Sequence, residues 1–237
     1  MSTEFRKMLL GACPESTWTT LTRGVGEAIG IADTIRRSTP FLATLVGSDQ
    51  RGMLRRAAVM WRVQMLCKSK ELPFEAAEIG NPYTNGTSHL ISVRAGKLEL
   101  HIVRTDEPEA FPVEALIRQD YRASNTADFF RDGKLLPISV ALESIPQLYG
   151  WIMWGATRKG ELTHFALGLP EPDRNMWLTY VDVLAHVRAA EAAAPPPIEK
   201  SSKPNPALLL KFREDIARSL EQDSEEQDTS DDASAAR

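Results

Sequence analysis

Cysteine is scarce in this chain of 237 residues. Cys13 and Cys67 are its two, too few and too far apart for a zinc site of their own or a disulfide-stapled scaffold. They suit free thiols in a reducing cytoplasm. No apolar run approaches the roughly 20 residues that a membrane-spanning helix needs, which excludes such a helix. Met1 to Cys13 has no basic start followed by a long apolar stretch, so no secretory leader is expected and the expected location is cytoplasmic. Gly-x-Ser-x-Gly, Walker A, a dinucleotide-binding glycine signature and His-Glu-x-x-His are all missing. Gly24-Val25-Gly26 lacks a third glycine and lies in a helical pattern with no strand before it. No internal repeat is visible.

What remains is an ordinary globular composition, 43% hydrophobic and 25% charged, with length for one sizeable core or at most two small ones. The net charge of −4 conceals an asymmetry: residues 191–237 carry eleven acidic and six basic residues, and the remainder is close to neutral. The change coincides with Pro195-Pro196-Pro197, a spacer that favours extended backbone. This divides the chain into a globular domain at 1–190, a Pro-rich linker at 191–205, an amphipathic helix at 206–220 and an acidic tail at 221–237. In the helix, Asn205 is a cap and Pro206 a first-turn residue, and Leu209, Phe212, Ile216 and Leu220 form one stripe. About 15 residues are marginal as a helix alone, so the stripe is expected to dock on a surface. The serine-rich tail has the composition of a disordered segment.

Within the domain, spacing predicts helices over 17–37 and 50–70, the second capped by Asp49 with Leu54, Ala57, Ala58, Trp61 and Met65 as its apolar face. His89–Arg94 and Lys97–Val103 alternate with period two around Ala95-Gly96, a hairpin signal pairing Val93 with Leu98 and Ser92 with Glu99. His89, Ile91, Val93, Leu98, Leu100 and Ile102 then face the core, and Leu90, Ser92, Arg94, Lys97, Glu99 and His101 face away. A short helix is expected over 112–121 and a strand over 138–142. A second hairpin, 149–156 with 162–167, turns at Lys159-Gly160 and is apolar on both faces, hence central. A last helix is expected over 175–190. The fold class is α+β: N-terminal helices, a central antiparallel sheet of hairpins and a closing helix.

Candidate chemistry is thin. His89, Glu99 and His101 would suit a metal, but the pairing sends His89 to the opposite face, and Glu99 with His101 reads as a solvated pair. Asp132-Gly133-Lys134 is an Asp-x-Lys triplet of the kind used by Mg²⁺-dependent nucleases, although Asp-Gly also reads as a turn. The basic helix is better supported: Arg51, Arg55 and Arg62 lie opposite the Trp61 stripe, with no acidic residue between 51 and 70. Such a ridge can meet phosphates, or be a solvated face. The loop 81–89 reads as turns entering a strand. Trp151 and Met153 facing Gly155, Ala166 and Gly168 form a slot for a small molecule or a packed helix.

The layout of domain, spacer, docking helix and acidic tail predicts a non-catalytic regulatory or adaptor protein with a protein partner. Systems of the toxin–antitoxin or phage-defence kind use such proteins. Leu209, Phe212, Ile216 and Leu220 are then the partner-binding residues, nucleic acid is a further partner for Arg51, Arg55 and Arg62, and no cofactor is required. The alternative is a nuclease-like enzyme with Asp132, Lys134 and Glu99 as catalytic residues and Mg²⁺ as cofactor.

Overall fold

The computed structural model describes residues 2–84, 88–113, 115–126, 130–131, 134–135, 145–193, 207–208 and 210–215. Helix α1 (Ser2–Ala12) and a 3-10 turn lead into α2 (Trp18–Ser38), a single turn α3 (Leu45–Ser48) and α4 (Arg51–Lys68). The strands β1 (Glu75–Gly80), β2 (His89–Ala95) and β3 (Leu98–Arg104) follow, then α5 (Leu116–Ala123). A two-residue pair comes next, β4 (Phe130–Arg131) and β5 (Lys134–Leu135). The chain returns through β6 (Leu148–Ala156), β7 (Leu162–Pro170) and β8 (Trp177–Asp182) to α6 (Val183–Ala193). The α+β class therefore holds. The large sheet has the order β1-β2-β3-β6-β7-β8, and β4 and β5 form a separate ladder.

The sheet is mixed where an antiparallel one was expected, because β3 and β6 run parallel. A parallel neighbour needs a crossover of a dozen residues or more, and the stretch between Arg104 and Leu148, which contains α5, provides it. The first hairpin is also displaced: Val93 pairs with Leu100 and Arg94 with Glu99, turning at Gly96-Lys97. Gly96 has φ +60°, the first central position of a turn that a side chain disfavours there. The displacement is two residues, so every residue keeps its expected face. The second hairpin pairs as expected, Ile152 with Leu167 and Trp154 with Phe165, and it is central and covered on both faces.

Three further differences concern element type. Residues 177–182 are a strand where a helix was expected, with Thr179 and Val181 buried in alternation. The helix begins only at Val183, where the Asp182 carboxylate accepts from the Ala185 amide at 2.9 Å. β1 was not expected at all: it is a largely exposed edge strand carrying Glu75 and Glu78. α1 likewise went unpredicted, and α4 starts at Arg51 behind Gln50 with no side-chain cap from Asp49. The strand expected over 138–142 lies outside the described residues.

One sheet face packs on α1, α2, α4 and α6 through Leu100, Ile152, Trp154, Phe165 and Leu167. α2 packs tightly on α4 at Gly24, where a Cβ would sit 2.5 Å from Leu66 Cδ1. The opposite face carries Val103, Tyr149, Trp151, Met153 and Ala166 under Phe111, Tyr121, Trp177 and Tyr180. α5 is fastened there by Asn125. Its amide donates to the carbonyls of Tyr149 (2.9 Å) and Pro170 (2.8 Å), and its oxygen accepts from the Tyr149 amide (2.7 Å). Cys13 and Cys67 are buried free thiols, pushed up by burial to about 12 and about 11.

Candidate functional site

α4 is turned differently from the sequence expectation. Its buried residues are Arg55, Ala58, Val59, Arg62, Val63, Leu66 and Cys67, and Leu54, Trp61 and Met65 are half-buried. The two arginines enter the interior because α2 supplies their counter-charges. Arg55 donates to both Asp33 oxygens, at 3.0 and 2.6 Å, and to the carbonyls of Thr157 (2.8 Å) and Arg158 (3.2 Å). Arg62 donates twice to Glu27 Oε2, at 3.1 and 2.8 Å. Arg51 is half-buried. The expected phosphate-meeting ridge of Arg51, Arg55 and Arg62 is thus corrected: Arg55 and Arg62 join α4 to α2 and to the β6–β7 turn.

The Trp61 side of α4 instead receives the C-terminal helical segment, at residues 207–208 and 210–215. Phe212 is 2% exposed, with its ring centroid 4.8 Å from that of Trp61 in an edge-on arrangement. The Trp61 indole N–H donates to Asp215 Oδ2 at 2.8 Å, and Arg213 donates to Ser38 Oγ at 2.8 Å. Leu208 packs on the core edge, and Leu210 is 60% exposed. Leu209, Ile216 and Leu220 lie outside the described residues.

A second polar centre lies on the α5 side of the sheet. Glu99 and His101, expected to be solvated, are each 3% exposed, because α5 and Tyr149 cover that face. The Trp151 indole N–H donates to the Tyr149 oxygen at 2.8 Å, and that oxygen lies 2.9 Å from His101 Nδ1. The phenol donates to Nδ1 in the tautomer with the ring proton on Nε2, the nitrogen that faces Glu99 Oε1 at 3.6 Å. Ser92 donates to the same oxygen at 2.5 Å, Gln147 donates to Glu99 Oε2, and Arg94 Nε lies 3.8 Å from it. The neighbouring His101 ring and the Ser92 hydroxyl hold the Glu99 carboxyl below its ordinary range, and burial holds His101 below its own. The stable combination is an ionised Glu99 beside a neutral His101. Burial raises the Tyr149 phenol far out of titration range.

Beside this chain is a cavity of about 240 Å³ lined by Glu99, Asp120, Tyr121, Ser124, Gln147 and Tyr149. Tyr83 donates its hydroxyl to Asp120 at the exposed side. The Trp151/Met153 slot is closed: Trp177 and Phe111 stack there, and a Cβ on Gly168 would sit 2.5 Å from the Trp177 ring. His89, expected in the core, is exposed at the start of β2.

The nuclease constellation is not assembled among the described residues. Glu99 belongs to β3, and Lys134 belongs to the separate β4–β5 ladder. Asp132 lies outside the described residues, which contain no group of three His, Cys, Asp or Glu side chains placed to hold a metal ion. Tyr149, Tyr121, Asp120 and Gln147 escaped the sequence reading, because only the parallel crossover sets Glu99 against Tyr149 and His101 against Trp151. No protein-family model, curated protein or solved structure matches the chain.

Proposed function

We propose that this is a non-catalytic regulatory or adaptor protein whose protein partner presents an amphipathic helix to the Trp61 side of α4. The observation that supports this is the chain's own occupant of that surface. Phe212 supplies a buried aromatic anchor, and Asp215, three residues on, supplies the carboxylate that accepts from Trp61. Residues at i and i+3 share a helix face, so the seat reads one aromatic and one acidic side chain from one helix. A partner helix with that pair fits the same seat. Exposed apolar residues follow Ser38 in the chain, Phe41, Leu45 and Val46 at 69%, 90% and 79%, and they offer further contact area.

The cis helix is held through one aromatic anchor on a linker with three consecutive prolines, so it competes with a partner through its high effective concentration. A labelled peptide of residues 206–220 tests the exchange. It is expected to bind the full-length Phe212→Asp variant at least about tenfold more tightly than the wild type, whose seat is filled. Trp61→Ala in that variant is expected to abolish binding. A peptide that ignores the Phe212→Asp protein removes the reading, as does a cellular partner captured no better by that protein than by the wild type.

A further inference from the structure

One end of the α2–α4 pair gathers positive charge. Asp33 meets Arg55 at 2.6 Å and Glu27 meets Arg62 at 2.8 Å, so the two helices run antiparallel. Arg36 and Arg37 lie one turn beyond Asp33, and Arg51 lies one turn before Arg55, which brings these turns to the same end. The β6–β7 turn joins them, because the Thr157 and Arg158 carbonyls accept from Arg55. Arg104 joins as well, its Nη1 2.9 Å from where a Cβ on Gly52 would sit. The segments that meet here, 33–37, 49–56, 104–106 and 157–161, carry eight cationic and four acidic side chains, and one of the four, Asp33, is held by Arg55. Arg37, Arg158 and Lys159 are exposed. Arg36 and Arg51 are half-buried, and the Nε of each is buried with no hydrogen-bond partner among the described residues. A buried donor in that condition is uncommon, and on a guanidinium it suits an anionic acceptor.

The chain itself carries an anionic segment to this end. Arg213 donates to Ser38 Oγ, one residue after Arg37, and Asp215 accepts from Trp61. Glu221 is six residues past Asp215, hence within about 20 Å of it even at full extension. From Glu221 to Arg237 the sequence holds seven carboxylates, one arginine and no large apolar residue, so charge is what can hold this segment to a surface. The tether gives it an effective concentration on the order of millimolar at its own arginines. An untethered polyanion such as nucleic acid has to exceed that.

We propose that residues 221–237 dock in cis on this arginine end, with their carboxylates facing Arg36, Arg37, Arg51 and Arg158. This docking needs only the Phe212 helix in place and is independent of any partner at the Trp61 seat.

A nitroxide on Ser230→Cys in the full-length protein reads the docking, since Cys13 and Cys67 are buried thiols whose burial keeps them protonated. At low salt the amide resonances of 36–37, 51–53 and 158–160 are expected to weaken at least about twofold relative to the reduced label. They are expected to recover in about 1 M salt, where charges are screened beyond about 3 Å. The double variant Arg37→Gln/Arg158→Gln, both at exposed positions, is expected to diminish the effect severalfold. Replacing the seven carboxylates by their amides changes none of the described residues and is expected to do the same. Broadening that persists in 1 M salt, spreads evenly over the surface, or survives both sets of substitutions overturns the proposal. So does a single-stranded oligonucleotide that binds this end equally well in the wild type and in the amide-substituted protein, since the end is then open to nucleic acid and not covered.

Discussion

Two buried side chains do unlike work at the residue scale, and each gives a measurable consequence. Arg55 is a charge whose burial is tolerated only because Asp33 and two carbonyls satisfy it. Removing one member of such a pair leaves the other charge buried and unpaired, which typically costs about 3–5 kcal/mol. Arg55→Ala is therefore expected to lower the urea midpoint steeply, and Asp33→Asn in the same protein to recover part of that loss, since the orphaned carboxylate is gone. Asn125 is neutral, and its cost is one of unmet hydrogen bonds. Asn125→Ala strips partners from the Tyr149 amide and carbonyl and from the Pro170 carbonyl, each inside the fold. With three such groups at roughly 1–3 kcal/mol each, a loss of at least about 3 kcal/mol is expected. Since α5 holds Tyr121 beside the cavity, the same variant is also expected to loosen the cavity wall, read as faster hydrogen exchange over 116–123 with the helix side of the sheet unchanged.

At the scale of elements, α4 shows how far sequence periodicity reaches. The helix itself was legible, since Leu54, Ala58, Trp61 and Met65 recur at helical spacing. Which face turns inward was not. Within the stripe that looked like core, Ala58 is buried but Trp61 is the seat of the C-terminal helix, and the interior face includes two arginines whose partners, Asp33 and Glu27, lie on α2. Hydrophobic pattern treats arginine as surface, so a face closed by ion pairs is invisible to it. Faces of the hairpins were legible for a different reason: period two survives a register change of two residues, so Glu99 and His101 were placed on the correct side. Their burial depended on the β3–β6 parallel pairing, a long-range choice that no local signal carries. Strand β8 was missed because Trp177, Val181, Leu184 and Val187 fit a helix as well as a strand running into one, and Asp182 as an N-cap was the available signal. The seat also carries a prediction of element size. Phe212→Ala is expected to lose about 3 kcal/mol of local docking, the lower end of the range for truncating a buried phenylalanine. Exchange protection over 207–215 is expected to fall while β6 and β7 stay protected, and Trp61 emission is expected to shift to the red. Global unfolding instead of local release would mean that the helix is integral to the fold.

For the molecule as a whole, the sheet separates a helix-packed apolar side from a polar, aromatic side, and the second carries the shifted histidines and Glu99. His101 and His164 are both buried there, His164 with Thr105 Oγ1 2.7 Å from its Nε2, and burial depresses the protonation of both below the ordinary 6.5. A depressed histidine is neutral when folded and takes up a proton when unfolded, so between the folded and unfolded values the unfolded chain binds more protons. Stability is accordingly expected to be complete above about pH 6.5 and to fall on acidification from there. Glu99 acts with the same sign at lower pH: its folded value lies below its ordinary 4.5, so its contribution is present above that value and is lost as pH falls through the folded one. The chemical-denaturation midpoint is therefore expected to decline in two stages, histidines first and carboxylate second. His101→Gln removes one titrating group while an amide can still bond the Tyr149 hydroxyl, so it is expected to flatten the first stage and, because His101 is what chiefly holds Glu99 low, to shrink the second as well. A midpoint independent of pH between about 7 and 5, or a first stage unchanged by His101→Gln and His164→Gln together, would show that this face does not govern the acid response.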